Sequence, residues 1–198
     1  MKSKFDPLKH HRHSIRLKGY DYSREGAYYV TIVTQGRECL FGNMVEKEMN
    51  LNKAGQMIVK WWNELPNKFP KMMLGEYVVM PNHIHGIIII EENVGEDLRA
   101  CPDDSKIKSA QTGEHAGSPL QKPNAPLSQI IQWFKTMTTN EYIRGVERSD
   151  WAPFAGKLWQ RNYYERIIRN EKELKQKSDY IAGNPWRWDE DQENLMKS

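Results

Sequence analysis

Residues 76–90, EYVVMPNHIHGIIII, constrain the fold more than any other stretch. Aliphatic runs lie on both sides of Pro81 and Asn82. They read as two strands, with Pro81 and Asn82 as the turn or bulge between them, because proline cannot donate to a central ladder. The run from Gly86 to Ile90 has no polar alternation, so the second strand is expected to be buried. Upstream, residues 27–34, AYYVTIVT, are β-branched and aromatic and predict another strand. In 52–65, the spacing of Met57, Ile58, Trp61, Trp62 and Leu65 puts one apolar stripe on a helix that should stop at Pro66.

Downstream of residue 92 the composition changes. Residues 93–126 are rich in Gly, Pro, Asp and Ser and poor in large apolar side chains. A structureless connection of that length is uncommon inside a compact domain, so this one reads as a disordered insertion. Ser128 is a candidate cap for a helix over about 128–145, with Ile130, Ile131, Phe134 and Met137 on its buried face. Residues 158–168, LWQRNYYERII, read as a strand. Asn170 and Glu173 then stand in capping-box positions for a last helix, which should end near Gly183 because Pro185 follows. The acidic tail, 189–198, is expected to fray. All elements but the last follow the order β-α-β-β-α-β. The expectation is an α+β, ferredoxin-like core with an added C-terminal helix.

Composition limits what such a chain can do. At 198 residues it suits one domain, and with 38% hydrophobic and 28% charged residues it has the balance of a soluble protein. Its longest apolar run is far too short to span a bilayer. The basic N-terminus lacks the apolar stretch of a signal peptide, which points to the cytoplasm. Cys39 and Cys101 make neither a disulfide framework nor a C-x-x-C metal spacing. No G-x-x-x-x-G-K-[ST] loop is present, so no ATP site of that kind is expected. The net charge is only +3, but residues 1–20 concentrate Lys2, Lys4, Lys9, Arg12, Arg16 and Lys18. That arm either lies along a phosphate backbone or serves as a solubilising tail.

The chemistry centres on His83-Ile84-His85. Alternate residues of a strand share a face, so both imidazoles should look into one space. That makes a partial site for a divalent cation. The last helix offers what is missing. Tyr180 and Asn184 stand one turn apart on one face, with Lys177 three before Tyr180. Asn184 can complete a metal shell of His83, His85 and its own amide oxygen, and Tyr180 can act as nucleophile towards a phosphate. Tyr163 and Tyr164 are rival nucleophiles, pointing to opposite faces of their strand. Tyr180 is preferred because Asn184 ties it to the metal. His10, His11, His13 and His115 are not assigned as ligands, and Pro81 and Asn82 are taken as structural. Lys135, Arg161, Arg166, Arg169 and Lys177 are candidate phosphate contacts, and Trp159, Tyr163 and Tyr164 candidate stacking platforms for unpaired bases. Each also has a plain reading as core or solvated surface. Trp186-Arg187-Trp188 is either an aromatic-basic patch for DNA or a latch for the last helix.

MPNHIHG, then WQRNYYERIIRN, then YIAGNP, together with the opening HSIRLKGYDYSREGAYYVTIVTQGRECLFG, resemble the REP-associated tyrosine transposases. These belong to the HUH single-tyrosine transposases, named for their His-hydrophobic-His motif. The resemblance covers about residues 14–92 and 127–188, and implies one transposase domain over 1–198. It implies Mg²⁺ or Mn²⁺ on His83 and His85, and attack of Tyr180 on a DNA phosphate to give a 5′-phosphotyrosine link and a free 3′-OH. The implied partner is single-stranded or hairpin DNA in a bacterial cytoplasm, near the nucleoid, with monomer or homodimer left open. Asn184 departs from relatives that often carry glutamine there. The competing readings are a non-catalytic single-strand-binding module, a metal phosphodiesterase that uses water, and a replication initiator or relaxase of the same motif.

Overall fold

The computed structural model describes residues 24–91 and 125–194. The expected N-terminal arm, nearly all of the 93–126 insertion, His115 and Cys101 lie outside them. The central sheet has the order β4-β5-β1-β6, built from β1 (Gly26–Val33), β4 (Met72–Val79), β5 (His83–Ile90) and β6 (Tyr164–Ile168). Every neighbouring pair is antiparallel. With α1 (Lys53–Asn63) and α3 (Leu127–Ser149) as the crossovers, this is the expected ferredoxin-like core, and α4 (Glu171–Ala182) is the added helix.

The two faces of the sheet are covered differently. Tyr28, Val30 and Ile32 of β1 and Ile84, Ile88 and Ile90 of β5 pack into one core with Trp62 of α1 and Phe134 of α3. Gly86 lies on that same side of β5 because Trp62 occupies the space: a Cβ there would sit 2.3 Å from the indole. The opposite face carries a smaller apolar cluster of Tyr29, Ile87, Ile168 and Ile181, with Leu174 and Tyr180 of α4 against it. One helix cannot cover four strands, and the end of that face where His83 and His85 lie is closed instead by the chain after α4, with Trp188 stacked on His83.

The sequence reading and the structure part in several places. A hairpin of β2 (Gly42–Val45) and β3 (Glu48–Leu51) follows β1. Its two loop residues, Glu46 and Lys47, have φ of 49° and 67°, a left-handed turn made without the Asn-Gly or Asp-Gly signal that usually marks one. The helix expected over 52–65 starts after an Asn52 cap and ends at Asn63, and Pro66 sits in a separate short helix, α2 (Leu65–Lys68). Ser128 does not cap α3, which begins directly after Pro126 and runs on to an Asp150 cap in the left-handed region. The strand expected over 158–168 is shorter. Its first part is a loop held by Gln160 N–H on Val33 and one bridge from Trp159 to Thr34. Asn170 does cap α4 through Glu173 N–H, and the Glu173 carboxylate accepts from Arg169 N–H in return.

The largest correction concerns the tail. Residues 189–194 are not frayed: after a 3-10 segment over Pro185–Glu190 the chain turns inward, and Asp191, Glu193 and Asn194 are buried. Among the described residues, no helix is long and apolar enough to cross a membrane.

Candidate metal and tyrosine site

His83 and His85 do share a face of β5, with ring centroids 4.4 Å apart and Nε2 atoms 3.0 Å apart. The protons on His83 follow from its neighbours. Asn82 donates its amide to the carbonyls of Arg37 and Glu193, so its Oδ1 faces His83 Nδ1 at 2.8 Å and must accept from it. His83 therefore presents a lone pair on Nε2. His85 Nδ1 lies 2.7 Å from the Tyr29 hydroxyl and 2.8 Å from Thr31 Oγ1, both able to accept. Two facing lone pairs at 3.0 Å repel, so either His85 keeps a proton on Nε2 or a cation lies against both. Adjacent donors around an octahedral cation with bonds of about 2.1 Å are about 3.0 Å apart, which fits the observed separation. Burial pushes His83 down to about 3 and His85 well below its ordinary value, His83 adding to the effect on His85. Both are held neutral, the form that binds metal.

Asp191 joins this pair. Its Oδ2 lies 4.0 Å from His83 Nε2, and the ligand atoms of His83, His85 and Asp191 all fall within 4.8 Å of one another. The carboxylate is held by Glu193 N–H on Oδ1 at 2.7 Å and by the Asn184 amide on Oδ2 at 3.2 Å. A carboxylate only accepts, so Asn184 must turn its nitrogen to Asp191. Its Oδ1 is then buried without a hydrogen-bond partner. A buried carbonyl oxygen without a donor is costly, and a cation is one group that would satisfy it. The donor set thus fits a hard divalent cation: two imidazole nitrogens, a carboxylate and an orphaned amide oxygen.

Tyr180 is half-buried beside this cluster, its ring 5.5 Å from His85 and 6.2 Å from Tyr29 between centroids. Burial and then Asp191 raise its pKa, while Arg187 and the Asn184 amide act the other way. Lys177, one turn earlier, places Nζ 4.6 Å from the Tyr29 ring and 5.6 Å from the Tyr180 ring. Burial and the nearby Arg166 lower the lysine pKa. His85, Asp191, Asn184, Lys177 and Tyr180 line a cleft of about 550 Å³ that also takes in Arg37, Tyr164 and Arg187, with His83 buried behind it. A second cleft of about 350 Å³ shares Lys177, Tyr180 and Arg187 and adds Arg166.

The other residues singled out in the sequence are scattered. Trp159 is a correction: it is 5% exposed, packs on Phe41 and Phe134, and donates to Thr138, so its ring is closed to a base. Lys135 spends its ammonium on the carbonyls of Gln160 and Asn162, pinning the loop before β6, and burial lowers its pKa to about 8. Tyr163 packs against the α1–α3 core and under the Lys135 ammonium rather than facing Tyr180. Arg161 is exposed in a groove beside α3, away from the histidines. Arg166 is exposed and ion-pairs with Glu173 at 3.8 Å, and Arg169 is exposed near the start of α4. Of Trp186-Arg187-Trp188, the first ring is exposed, the arginine lines the cleft, and Trp188 stacks on His83. Asp191, Asn82, Tyr29 and Thr31 were not singled out as site residues. Only Asn82 had a local signal, its adjacency to His83.

The fold is that of the REP-associated tyrosine transposases. One of them, solved bound to a REP hairpin, superposes with a TM-score of 0.54 over 89% of this chain and 74% of that one, at 18% identity. A second solved structure, from Deinococcus radiodurans, superposes more loosely, with a TM-score of 0.42 and 13% identity over 86% of this chain and 97% of that one. No family model matches the chain. It belongs to the same family as an uncharacterized protein of Haemophilus influenzae, to which it is 38% identical over 193 residues, spanning 97% of this chain and 98% of that protein.

Proposed function

We propose that this protein is a divalent-metal-dependent transposase that nicks and rejoins single-stranded or hairpin DNA through Tyr180. One observation carries the reading: the buried Nε2 atoms of His83 and His85 lie 3.0 Å apart, the Asp191 carboxylate joins them, and His85 and Asp191 line the same cleft as Tyr180. His83, His85 and Asp191 would hold Mg²⁺ or Mn²⁺, with the Asn184 oxygen as a further donor. The cation would polarise the scissile phosphate and stabilise charge in the transition state.

The chain's own residues supply the rest. The Tyr180 oxygen attacks the phosphorus, the bond to the neighbouring 3′ oxygen breaks, and the strand is left with its 5′ phosphate on tyrosine. The phenol gives up its proton to solvent in the open cleft, and the departing 3′ oxygen takes one up. Attack by a 3′-OH on the phosphotyrosine reverses the exchange and returns the proton to Tyr180. Lys177 and Arg187 flank the ring and bind phosphate oxygens, which favours the charged phenolate over the buried phenol. Tyr29 and Thr31 keep His85 oriented, as Asn82 does His83. The arrangement suits a bacterial cytoplasmic enzyme acting on chromosomal DNA.

The test is incubation with labelled single-stranded DNA from around its own gene, folded as a hairpin, in Mn²⁺ or EDTA. Covalent protein–DNA adducts are expected on a denaturing gel with Mn²⁺, none with EDTA, and none from Tyr180→Phe. Adducts that survive Tyr180→Phe would move the nucleophile to another tyrosine such as Tyr164, and cleavage without adducts would mean water is the nucleophile; either would overturn the reading.

A further inference from the structure

Tyr164 is the most exposed residue of the tyrosine cleft that has an aromatic ring, with 53% of its surface open. Its place follows from strand register. Thr31 of β1 pairs with His85 on one side and with Tyr164 on the other. Directly opposed residues of antiparallel strands point to the same face, so His85, Thr31 and Tyr164 form one row across the sheet. Two strand spacings separate the ends of that row by about 10 Å. Tyr163, its neighbour in the chain, turns to the other side and is packed into the core. The ring is thus held by a strand, at short range from the histidine pair, with Arg37 beside it in the same cleft.

An exposed ring costs free energy in water and does nothing for the core. At this place it offers a flat face to a planar apolar group within one or two nucleotide lengths of the reacting phosphate. We infer that Tyr164 is the platform on which an unpaired base next to the scissile phosphate stacks, so that the cleft selects a single strand over a duplex. This rests on the proposed transposase reading and specifies its substrate at the same site. A paired base has both faces stacked on neighbours and cannot lie on the ring. An unpaired one can, with little regard to its identity, because every base has a π-face. Arg37 is partly tied up by Glu193 at 2.6 Å, which leaves the ring rather than the guanidinium as the free recognition element on this rim.

The experiment is binding of fluorescent oligodeoxythymidylate, and of a blunt duplex, by the full chain in EDTA, read by anisotropy. Covalent adducts with Mn²⁺ are measured in parallel. Wild type is expected to prefer the single strand. Tyr164→Ala should lose about tenfold to a hundredfold in affinity for it, the effect of removing one stacked base, with the duplex unchanged. Tyr164→Phe should bind and form adducts like wild type, since the ring and not the hydroxyl does the work. Unchanged single-strand affinity in Tyr164→Ala, or an equal loss in Tyr164→Phe, overturns the platform while adduct formation by wild type leaves the transposase reading standing. Failure of wild type both to bind the single strand and to form adducts overturns the two together.

Discussion

His83 and His85 are useful to a cation only because other side chains settle where their protons sit. Asn82 does this for His83 by spending its two amide hydrogens on Arg37 and Glu193 and its oxygen on Nδ1. Asn82→Ala should therefore leave the fold and weaken Mn²⁺ binding by about tenfold to a hundredfold, the usual cost of losing such a partner. Asp191→Asn should weaken it at least as much, since it removes a buried anion. Titration of Mn²⁺ by electron paramagnetic resonance reads both. If Asn184→Ala abolishes binding and Asp191→Asn does not, the amide oxygen is the third donor and the carboxylate is not. The relative placement of the two histidines, and of Lys177 and Tyr180, was legible in the sequence because strand and helix periods set local spacing, whereas Asn184 lies just beyond the end of α4. Asp191 was not legible. It stands in an acidic run with Glu190 and Glu193, and nothing local says which acid turns inward after Pro185. Tyr29 and Thr31 were equally hidden, because they reach His85 through the register of β1 on β5, which a sequence does not print.

At the level of elements, order was easier to read than extent. Long periodic stretches, such as α1, β5 and α4, sit within a residue or two of where their patterns put them. The β2–β3 hairpin escaped because Glu46 and Lys47 are not turn formers. The β6 region was read too long because Leu158 and Trp159 are apolar for core packing rather than for a ladder. Two substitutions test the packing that sets the site. Gly86→Ala drives a methyl into Trp62 beneath the histidine strand, and overpacking of that kind costs about 1–3 kcal/mol, seen as a lower urea midpoint. Asn170→Ala removes the cap of the helix that carries Tyr180 and should cost about 1 kcal/mol. Adduct yield should fall more than the global midpoint suggests, because α4 rests on the sheet through a small cluster and can loosen by itself. Equal loss in both measures would mean that α4 unfolds only with the rest.

The whole molecule is a sheet with one closed face and one partly open face, and the site lies on the second, at the seam where β5 meets the inward-turned tail. Keeping two imidazoles at that seam makes the protein acid-sensitive. In the folded chain His83 takes up a proton only near pH 3, against 6.5 for the ordinary side chain, because burial opposes the charge. His85 is shifted in the same direction. Above 6.5 both states are neutral and the full stability is present. As pH falls below 6.5 the unfolded chain binds protons that the folded chain refuses, so stability drops steadily toward about 3. Urea midpoints in EDTA should fall between neutral pH and about pH 5, and His83→Gln should flatten the slope by removing one of the two titrations. Mn²⁺ should raise the midpoint at neutral pH and lose that effect on acidification, since the cation and the proton compete for the same lone pairs. A midpoint that ignores pH across this window would mean the folded imidazoles take up protons as readily as the unfolded ones, so burial would not be what keeps their lone pairs for the cation of the proposed tyrosine chemistry.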